Sequence, residues 1–294
     1  MGCKRIVHVG FGGGSGHIVR ALSVLFGLRR AGVDCDFQLL CDSDFGVLAE
    51  PYCGVSWLKL QPELHLRDAR RGELFLFINE LDPDLLIVDG TWAPILPFIG
   101  YLRCPKLIIF RYYAAEWFSF RLPGGETVRF DPSTYDAAFS TEPNFSMPGL
   151  ASIDPLVIRN RSEILPREEA RKRLGAQAEQ KLIVVAHNGF AGELEKIAAQ
   201  EFGEGAETKV VVSSNAGGEG LFPLCDYAAG IDLLIAGAGY SSFYESAYFK
   251  IPTRFIPQER RGDEQAWRVA RNEGFSCDLN GADRLAGIIA GLVR

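Results

Sequence analysis

The sequence has no Cys-x-x-Cys pair: its seven cysteines, Cys3, Cys35, Cys41, Cys53, Cys104, Cys225 and Cys277, are scattered and odd in number. That distribution argues against a disulfide framework or a zinc site and fits a reducing cytoplasm. No signal-peptide core with a small-residue cleavage site stands at the start, where MGCKRIVHVG runs directly into a strand. No apolar run reaches roughly 18 residues, so no spanning helix is expected, which leaves only peripheral contact with a membrane open. Histidine is scarce, at four residues, and no pair of His or carboxylate side chains has metal-ligand spacing. We therefore expect no dedicated metal site and no resident cofactor. Positive charge is in deficit: 31 Lys and Arg against 37 Asp and Glu give a net charge of −6 and a pI near 5.4. That balance argues against a nucleic-acid binder and against a simple electrostatic grip on an anionic bilayer. Internal repeats and low-complexity tracts are absent too.

What is present suits a soluble globular protein of two domains: 294 residues, 47% hydrophobic and 23% charged. Short apolar runs at 4–9, 35–40, 55–60, 84–89, 106–110 and 136–140 read as strands. Helical periodicity runs from Ile18 to Gly32 and over 67–81, the latter with the stripe Leu74, Phe75, Ile78 and Leu81. The alternation predicts a doubly wound parallel sheet. Patterning fades where Pro143, Pro148, Pro155 and Pro166 fall. We expect an N-terminal domain over 1–142, a linker over 143–166 and a C-terminal domain over 167–294. In the second half, strands are expected at 181–186, 209–213, 233–236, 253–256 and 275–278, with helices at 168–174, 222–229, after Gly239, and at 282–293.

The chemistry concentrates in 232–272. An apolar run breaks at Gly237-Ala238-Gly239 before a helix, and glycine lets backbone approach a ligand where first-turn N–H groups favour phosphate. Ser242 and Glu245, three residues apart, share a face near that helix's start. The next strand ends at Pro257, and Gln258, Glu259, Asp263, Glu264 and Gln265 follow. Two strand ends thus bring hydroxyl, carboxylate and amide groups to one sheet edge, where open α/β folds bind ligands. Near the N-terminus, the glycine-dense turn from Gly10 through Gly14 and Gly16 leads into His17. Such a loop either cradles phosphate or simply turns the chain. It lacks a dinucleotide fingerprint, and Asp42 is too weakly placed to supply its acidic residue.

The stretch 232–272 resembles the donor-binding half of the GT-B glycosyltransferases, most closely the lipid II-forming UDP-N-acetylglucosamine transferase family (glycosyltransferase family 28-like). Gly239, Glu245, Pro252, Pro257, Gln265 and Trp267 fall at the matching places, and GGGSGHIVRAL resembles the family's Gly-His first loop. The resemblance implies an α/β fold of two Rossmann-like doubly wound domains facing a central cleft, a UDP-sugar as donor substrate, and no bound metal. It implies that Glu245 binds the ribose hydroxyls and that Gln265 with Glu264 meets the sugar. It further implies that Asn188 and Gly189, in the loop HNGFAG, touch the donor phosphates, and that the loop 215–218 lies near the uracil. Two positions depart from the pattern: Ala238 stands where the family has a phosphate-binding Ser, and Glu264 where it has a first Gln, which suggests a different donor sugar. GT-B enzymes usually end in a helix that crosses back onto the first domain. Little sequence remains here to make it, and we expect the closing helix to pack against its own domain.

Inverting transfer needs a group that accepts the proton of the attacking hydroxyl. His17 is the candidate, and Asp89 ends the fourth strand on the same sheet edge, where a carboxylate would fix the imidazole tautomer. In plant-type GT-B glucosyltransferases a first-loop His pairs with an Asp after a later strand, so the resemblance permits a His17–Asp89 dyad. The lipid II-forming family lacks that Asp. Helix capping is the other reading of both residues. His187 either donates to a phosphate or satisfies backbone groups, and His8 and His65 are given no role. Arg111, Tyr112, Tyr113, Glu116 and Trp117 either stack on a sugar or lipid acceptor or pack as core. The leading reading is a cytoplasmic glycosyltransferase that moves a hexose-type sugar to an unknown hydroxyl acceptor. In it Asn188, Gly189, Gly239, Ser242 and Glu245 hold the donor, and the backbone of the first loop helps the departing diphosphate. Two alternatives stay open: a nucleotide-sugar hydrolase like that of pseudaminic acid synthesis, whose Gly-His loop GSGHIVRAL also resembles, and a non-catalytic nucleotide-sugar-binding subunit.

Overall fold

A run such as LLIVD, apolar on both faces, is stable only if covered on both sides, and parallel sheets wrapped by helices provide that cover. The computed structural model describes residues 2–59, 69–121, 125, 127–189, 192–198, 207–216, 220–260 and 262–294. Its first half comprises β1 (Lys4–Val9), α1 (Gly16–Arg30), β2 (Cys35–Cys41), β3 (Gly54–Trp57), α2 (Glu73–Leu81), β4 (Leu85–Asp89), β5 (Lys106–Phe110), β6 (Ser119–Arg121), β7 (Thr127–Arg129), β8 (Ala137–Ser140) and β9 (Ala151–Ser152). The second half comprises α3 (Arg167–Arg173), β10 (Lys181–Ala186), α4 (Glu193–Ala198), β11 (Thr208–Ser213), β12 (Leu233–Ala236), α5 (Tyr240–Phe249), β13 (Thr253–Phe255), α6 (Gln265–Arg271) and α7 (Gly281–Leu292).

Two parallel sheets result, ordered β3-β2-β1-β4-β5-β8-β9 and β11-β10-β12-β13. Side-chain alternation divides the first sheet's core in two: Leu85 and Ile87 of β4 join one cluster, with Ile6 and Leu39, while Leu86 and Val88 join the other, with Val7 and Leu40. Both sheets change winding direction beside their first strand, between β1 and β4 and between β10 and β12. Open α/β sheets bind ligands at such points, beyond the carboxyl ends of the strands.

Several elements depart from the sequence reading. The helix expected from 67 begins at Glu73, because Gly72 caps it after a short 3-10 turn at Ala69–Arg71. Leu60, His65 and Arg67 lie outside the described residues. β9, inside the stretch 143–166, extends the first sheet beside β8. An antiparallel pair, β6 with β7, forms at 119–129, a stretch to which the sequence assigns no element. No strand forms at 275–278. There Phe275 and Cys277 pack beside Val157 and Tyr248, and the Arg161 guanidinium takes the Cys277 carbonyl at 3.0 Å, so a side chain rather than a neighbouring strand satisfies that backbone.

The closing helix also differs. Residues 17–28 of α1 are all buried, and a helix buried on every side needs cover opposite its sheet. α7 supplies it: Ala282, Leu285, Ala286 and Ile289 join the core of the first sheet, and Arg30 Nε reaches Asp283 at 2.6 Å. The last helix therefore crosses back onto the first domain. Close approach depends on Gly27, where a Cβ would lie 2.5 Å from the Ala282 carbonyl oxygen.

A buried ionic network ties the two halves. Glu142, just past β8 and 1% exposed, accepts from the Tyr112 N–H at 2.8 Å, the Tyr244 hydroxyl at 2.9 Å and Arg268 Nη2 at 2.9 Å. Arg268, with no exposure, also donates to the Ala238 carbonyl and to Asp263 Oδ1, each at 2.8 Å. Arg111 reaches the same Asp263 oxygen at 3.2 Å.

Gly27→Val is expected to lower the stability measured by urea denaturation by roughly 2–3 kcal/mol, because the neighbour is backbone and cannot rotate away. Arg268→Met is expected to cost about 3–5 kcal/mol by stranding Glu142, and adding Glu142→Gln should restore part of it; full additivity in that double-mutant cycle would rule out the coupling.

Candidate active site in the cleft between the sheets

Each sheet brings two loops to its switch point. On the first sheet these are the glycine turn after β1 and Asp89-Gly90 after β4. Neighbouring strand ends hold the turn: the Gly12 N–H donates to Asp42 Oδ1 at 2.7 Å, and Thr91 Oγ1 donates to the Phe11 carbonyl at 3.2 Å. Asp42, set aside as a nucleotide-binding acid, is thus a loop anchor. Gly12 has φ +148°, and a Cβ there would lie 2.8 Å from His17 Cδ2 and Nε2, so the turn closes over the imidazole only as glycine.

His17 and Asp89 come together as the strand ends suggested, with Nδ1 to Oδ2 at 2.9 Å. They are not alone. Arg20, one helical turn beyond His17, places Nε at 3.1 and 2.9 Å from the two Asp89 oxygens, and Nη2 at 3.0 Å from His17 Nδ1. His8 Nε2 lies 4.0 Å behind Asp89. Burial alone would raise the Asp89 carboxyl, but Arg20 and then His17 outweigh it and hold Asp89 well below the usual carboxylate range. Burial pushes His17 below its ordinary value, Asp89 pulls it up, and Arg20 pushes it down again.

On the second sheet, the loops after β10 and β12 face this group. Gly239 caps α5, and the turns of α5 point Ser241, Ser242 and Glu245 into the cleft. Ser241 Oγ and Glu245 Oε1 are buried with no hydrogen-bond partner, an unusual condition that a ligand in the cleft would relieve. Burial pushes the Glu245 carboxyl up to about 8, against the Ile158 N–H and with the help of Asp226. Asn188 Oδ1 accepts from the N–H and side-chain amide of Asn215 at 2.8 and 3.3 Å, joining the two loops above β10 and β11. Beside it His187 Nε2 lies 2.8 Å from Glu193 Oε2, and Arg260 pairs with the same carboxylate. A Cβ on Gly189 would strike all three side chains.

The cleft between the sheets encloses about 420 Å³, within the range of roughly 300–1,000 Å³ usual for small-molecule sites. Gly14, Gly16, His17, Asn188, Gly189, Gly239, Ser242, Glu245 and Gln265 line it; Asp89 lies one layer behind His17. Gln265 Oε1 accepts from the Gln258 N–H at 2.9 Å. Glu264 does not join them: it is exposed at the start of α6, and Asp263 takes the lining position instead, drawn inward by Arg111 and Arg268. Of the aromatic cluster, only Arg111 lines the cleft; Tyr112 stacks on Trp267 at 3.9 Å, and Tyr113 is buried under the Arg111 guanidinium. Phe190, Ala191, Gly217 and Gly218 lie outside the described residues. Sequence reading missed Arg20 and Ser241. The i, i+3 spacing of Arg20 from His17, and the i, i+4 spacing of Ser241 from Glu245, were the available signals.

No family model matches the sequence, and no curated protein matches it. Solved structures do. Acinetobacter baumannii MurG matches with a TM-score of 0.56 at 14% identity, over 99% of this chain and 91% of that one. The spinosyn forosaminyltransferase SpnP matches at 0.59 and 14%, over 99% and 91%. Phytolacca americana UGT2, solved with UDP-2fluoro-glucose and pterostilbene, matches at 0.55 and 14%, over 99% and 90%. Identity that low speaks to architecture, and on architecture these structures agree with the strand orders above: the chain has the GT-B fold, two Rossmann-like domains facing a central cleft.

Proposed function

We propose that this protein is a glycosyltransferase that moves a sugar from a UDP-sugar to a hydroxyl acceptor with inversion. One observation carries the reading. A histidine held by a buried carboxylate at one switch point faces, across the cleft, a glycine-flanked helix start whose two buried oxygens have no partner. The GT-B architecture supports it, as does the class of ligand in neighbouring structures: UDP-2fluoro-glucose in UGT2, and DTDP in VinC.

In this reading His17 Nε2 accepts the proton of the acceptor hydroxyl. The acceptor oxygen then bonds to the anomeric carbon while the bond from that carbon to the diphosphate oxygen breaks, its electron pair leaving with the diphosphate. Asp89 accepts a hydrogen bond from Nδ1–H and so fixes the tautomer that leaves the Nε2 lone pair free for the substrate. The leaving charge meets the first-turn N–H groups of α5 and the backbone at Gly14 and Gly16, and in this reading that counter-charge stabilises the departing diphosphate without a metal ion. Ser241 supplies the hydroxyl that Ala238 lacks. Glu245 accepts from the ribose hydroxyls, and Gln265 offers its amide N–H groups to the sugar.

Calorimetric titration with UDP should show Glu245→Ala binding at least about tenfold more weakly than the native chain, since hydrogen bonds to a charged group are worth about 1.5–3 kcal/mol. His17→Ala should bind UDP normally and lose about 10²–10⁴-fold in turnover. Equal UDP affinity with and without Glu245 would overturn the ribose assignment, and UDP release undiminished by His17→Ala would overturn the base.

The Glu245 carboxyl also predicts a pH dependence. Its folded value of about 8 lies above the ordinary 4.5, so at neutral pH most of the ligand-free protein holds this carboxyl protonated. Accepting two hydroxyls requires the ionised form. UDP affinity should therefore rise between pH 6 and about 8 and level off above, with proton release on binding at pH 7. In Glu245→Gln that rise should vanish. The same shift makes ionisation of Glu245 cost stability as pH climbs from 4.5 through 8, so Glu245→Gln should gain stability relative to the native chain across that window.

A further inference from the structure

Arg20 is a buried cation beside the proposed base with no part yet in the chemistry. Its side chain is 1% exposed, and its guanidinium stacks 5.1 Å from the ring of Tyr240, the first residue of α5. A histidine joined to a lone carboxylate gains basicity, because the negative charge favours the imidazolium. Here the carboxylate is already claimed. Arg20 Nε contacts both Asp89 oxygens, and Nη2 sits against the very nitrogen that faces Asp89.

We propose that Arg20 is a positioning residue for the base: by holding both oxygens of Asp89 and cancelling its charge, it keeps the His17 imidazole neutral and able to accept a proton. The link to turnover rests on His17 acting as the base, as proposed above; the effect on the His17 proton does not. The surrounding charges agree. Facing His17 are Asp89 from β4, Arg20 from α1, and Arg111 from beyond β5, itself paired with Asp263 near α6. His8 of β1 stands behind Asp89, and Tyr113 and Tyr240 face Arg20. Among these groups Asp89 is the one that raises His17, while Arg20 and Arg111 lower it, together with burial.

Histidine NMR reads the His17 titration without any substrate. In the native protein the midpoint should lie below the ordinary 6.5. Arg20→Gln leaves Asp89 uncompensated and should raise it by about one pH unit or more, while Arg20→Lys, which keeps the charge, should move it less. Asp89→Asn should lower it, because Arg20 then stands alone. The Arg20→Gln, Asp89→Asn double variant removes both charges and should return near the native midpoint. If Arg20→Gln fails to fold, the comparison of Asp89→Asn with the double variant decides alone: coincident midpoints would overturn the proposal. In turnover, the acidic limb of the kcat/KM profile should move to higher pH in Arg20→Gln, with activity recovered at alkaline pH; a purely structural role would lower the whole profile without moving it. A shifted His17 midpoint with an unmoved profile would sink the base assignment and leave the Arg20 assignment standing.

Discussion

The cleft exists as a defined space because Glu142 and Arg268 meet where water does not reach. One sits at the end of a strand in the first sheet and the other on a helix of the second half, and neither tolerates burial without the other. Their spare donors and acceptors are used on Tyr112, Tyr244, Asp263 and the Ala238 carbonyl, so the pair also fixes the turn that opens α5. Ala238 in turn lies beside the glycines that receive the proposed diphosphate. That ionic contact therefore ties the two sheets together and fixes the pose of the proposed anion-binding turn. Tyr240 adds a second tie, donating to the Thr141 carbonyl at 3.1 Å and accepting from the Leu156 N–H at 2.9 Å.

The two switch points carry matching constellations. On the first sheet a histidine contacts Asp89, which Arg20 holds; on the second a histidine contacts Glu193, which Arg260 holds. In each, one carboxylate contacts both a histidine ring and an arginine, and on the first sheet the arginine also touches the ring, with Arg20 Nη2 3.0 Å from His17 Nδ1. They differ in setting. Asp89 is wholly enclosed beneath α1, whereas the Glu193 side chain keeps 13% of its exposure and sits on a short helix at the rim. Asymmetry of that kind agrees with the proposed division of labour between proton transfer and phosphate contact.

Much of this was legible in residue order. The strands at Lys106–Phe110, Lys181–Ala186 and Leu233–Ala236 fall where apolar runs of strand length end on Gly, Pro or polar residues. The pairing of His17 with Asp89 was legible because His17 opens the helix after β1, Asp89 ends β4, and parallel strands share a carboxyl edge. Other features depended on packing between distant segments. Whether α7 covers its own sheet or the first helix cannot be read from an apolar stripe that suits either. Arg20 looks like any helix charge until its partner, 69 residues away, is in place. Glu264 and Asp263 are neighbours of equal charge, and only the pull of Arg111 and Arg268 selects the one that turns inward. Residues 275–278 have a strand's composition, yet they pack beside Val157 and Tyr248 instead of pairing along β13.

The return of α7 to α1 has a consequence for how the polypeptide acquires its shape. The N-terminal sheet leaves the ribosome early, yet one flank of α1 stays uncovered until residues 281–293 have been synthesised and have emerged. Throughout translation of the second half, a stripe of leucine, isoleucine and phenylalanine on α1 is wet and adhesive, the condition under which nascent chains recruit holdase chaperones.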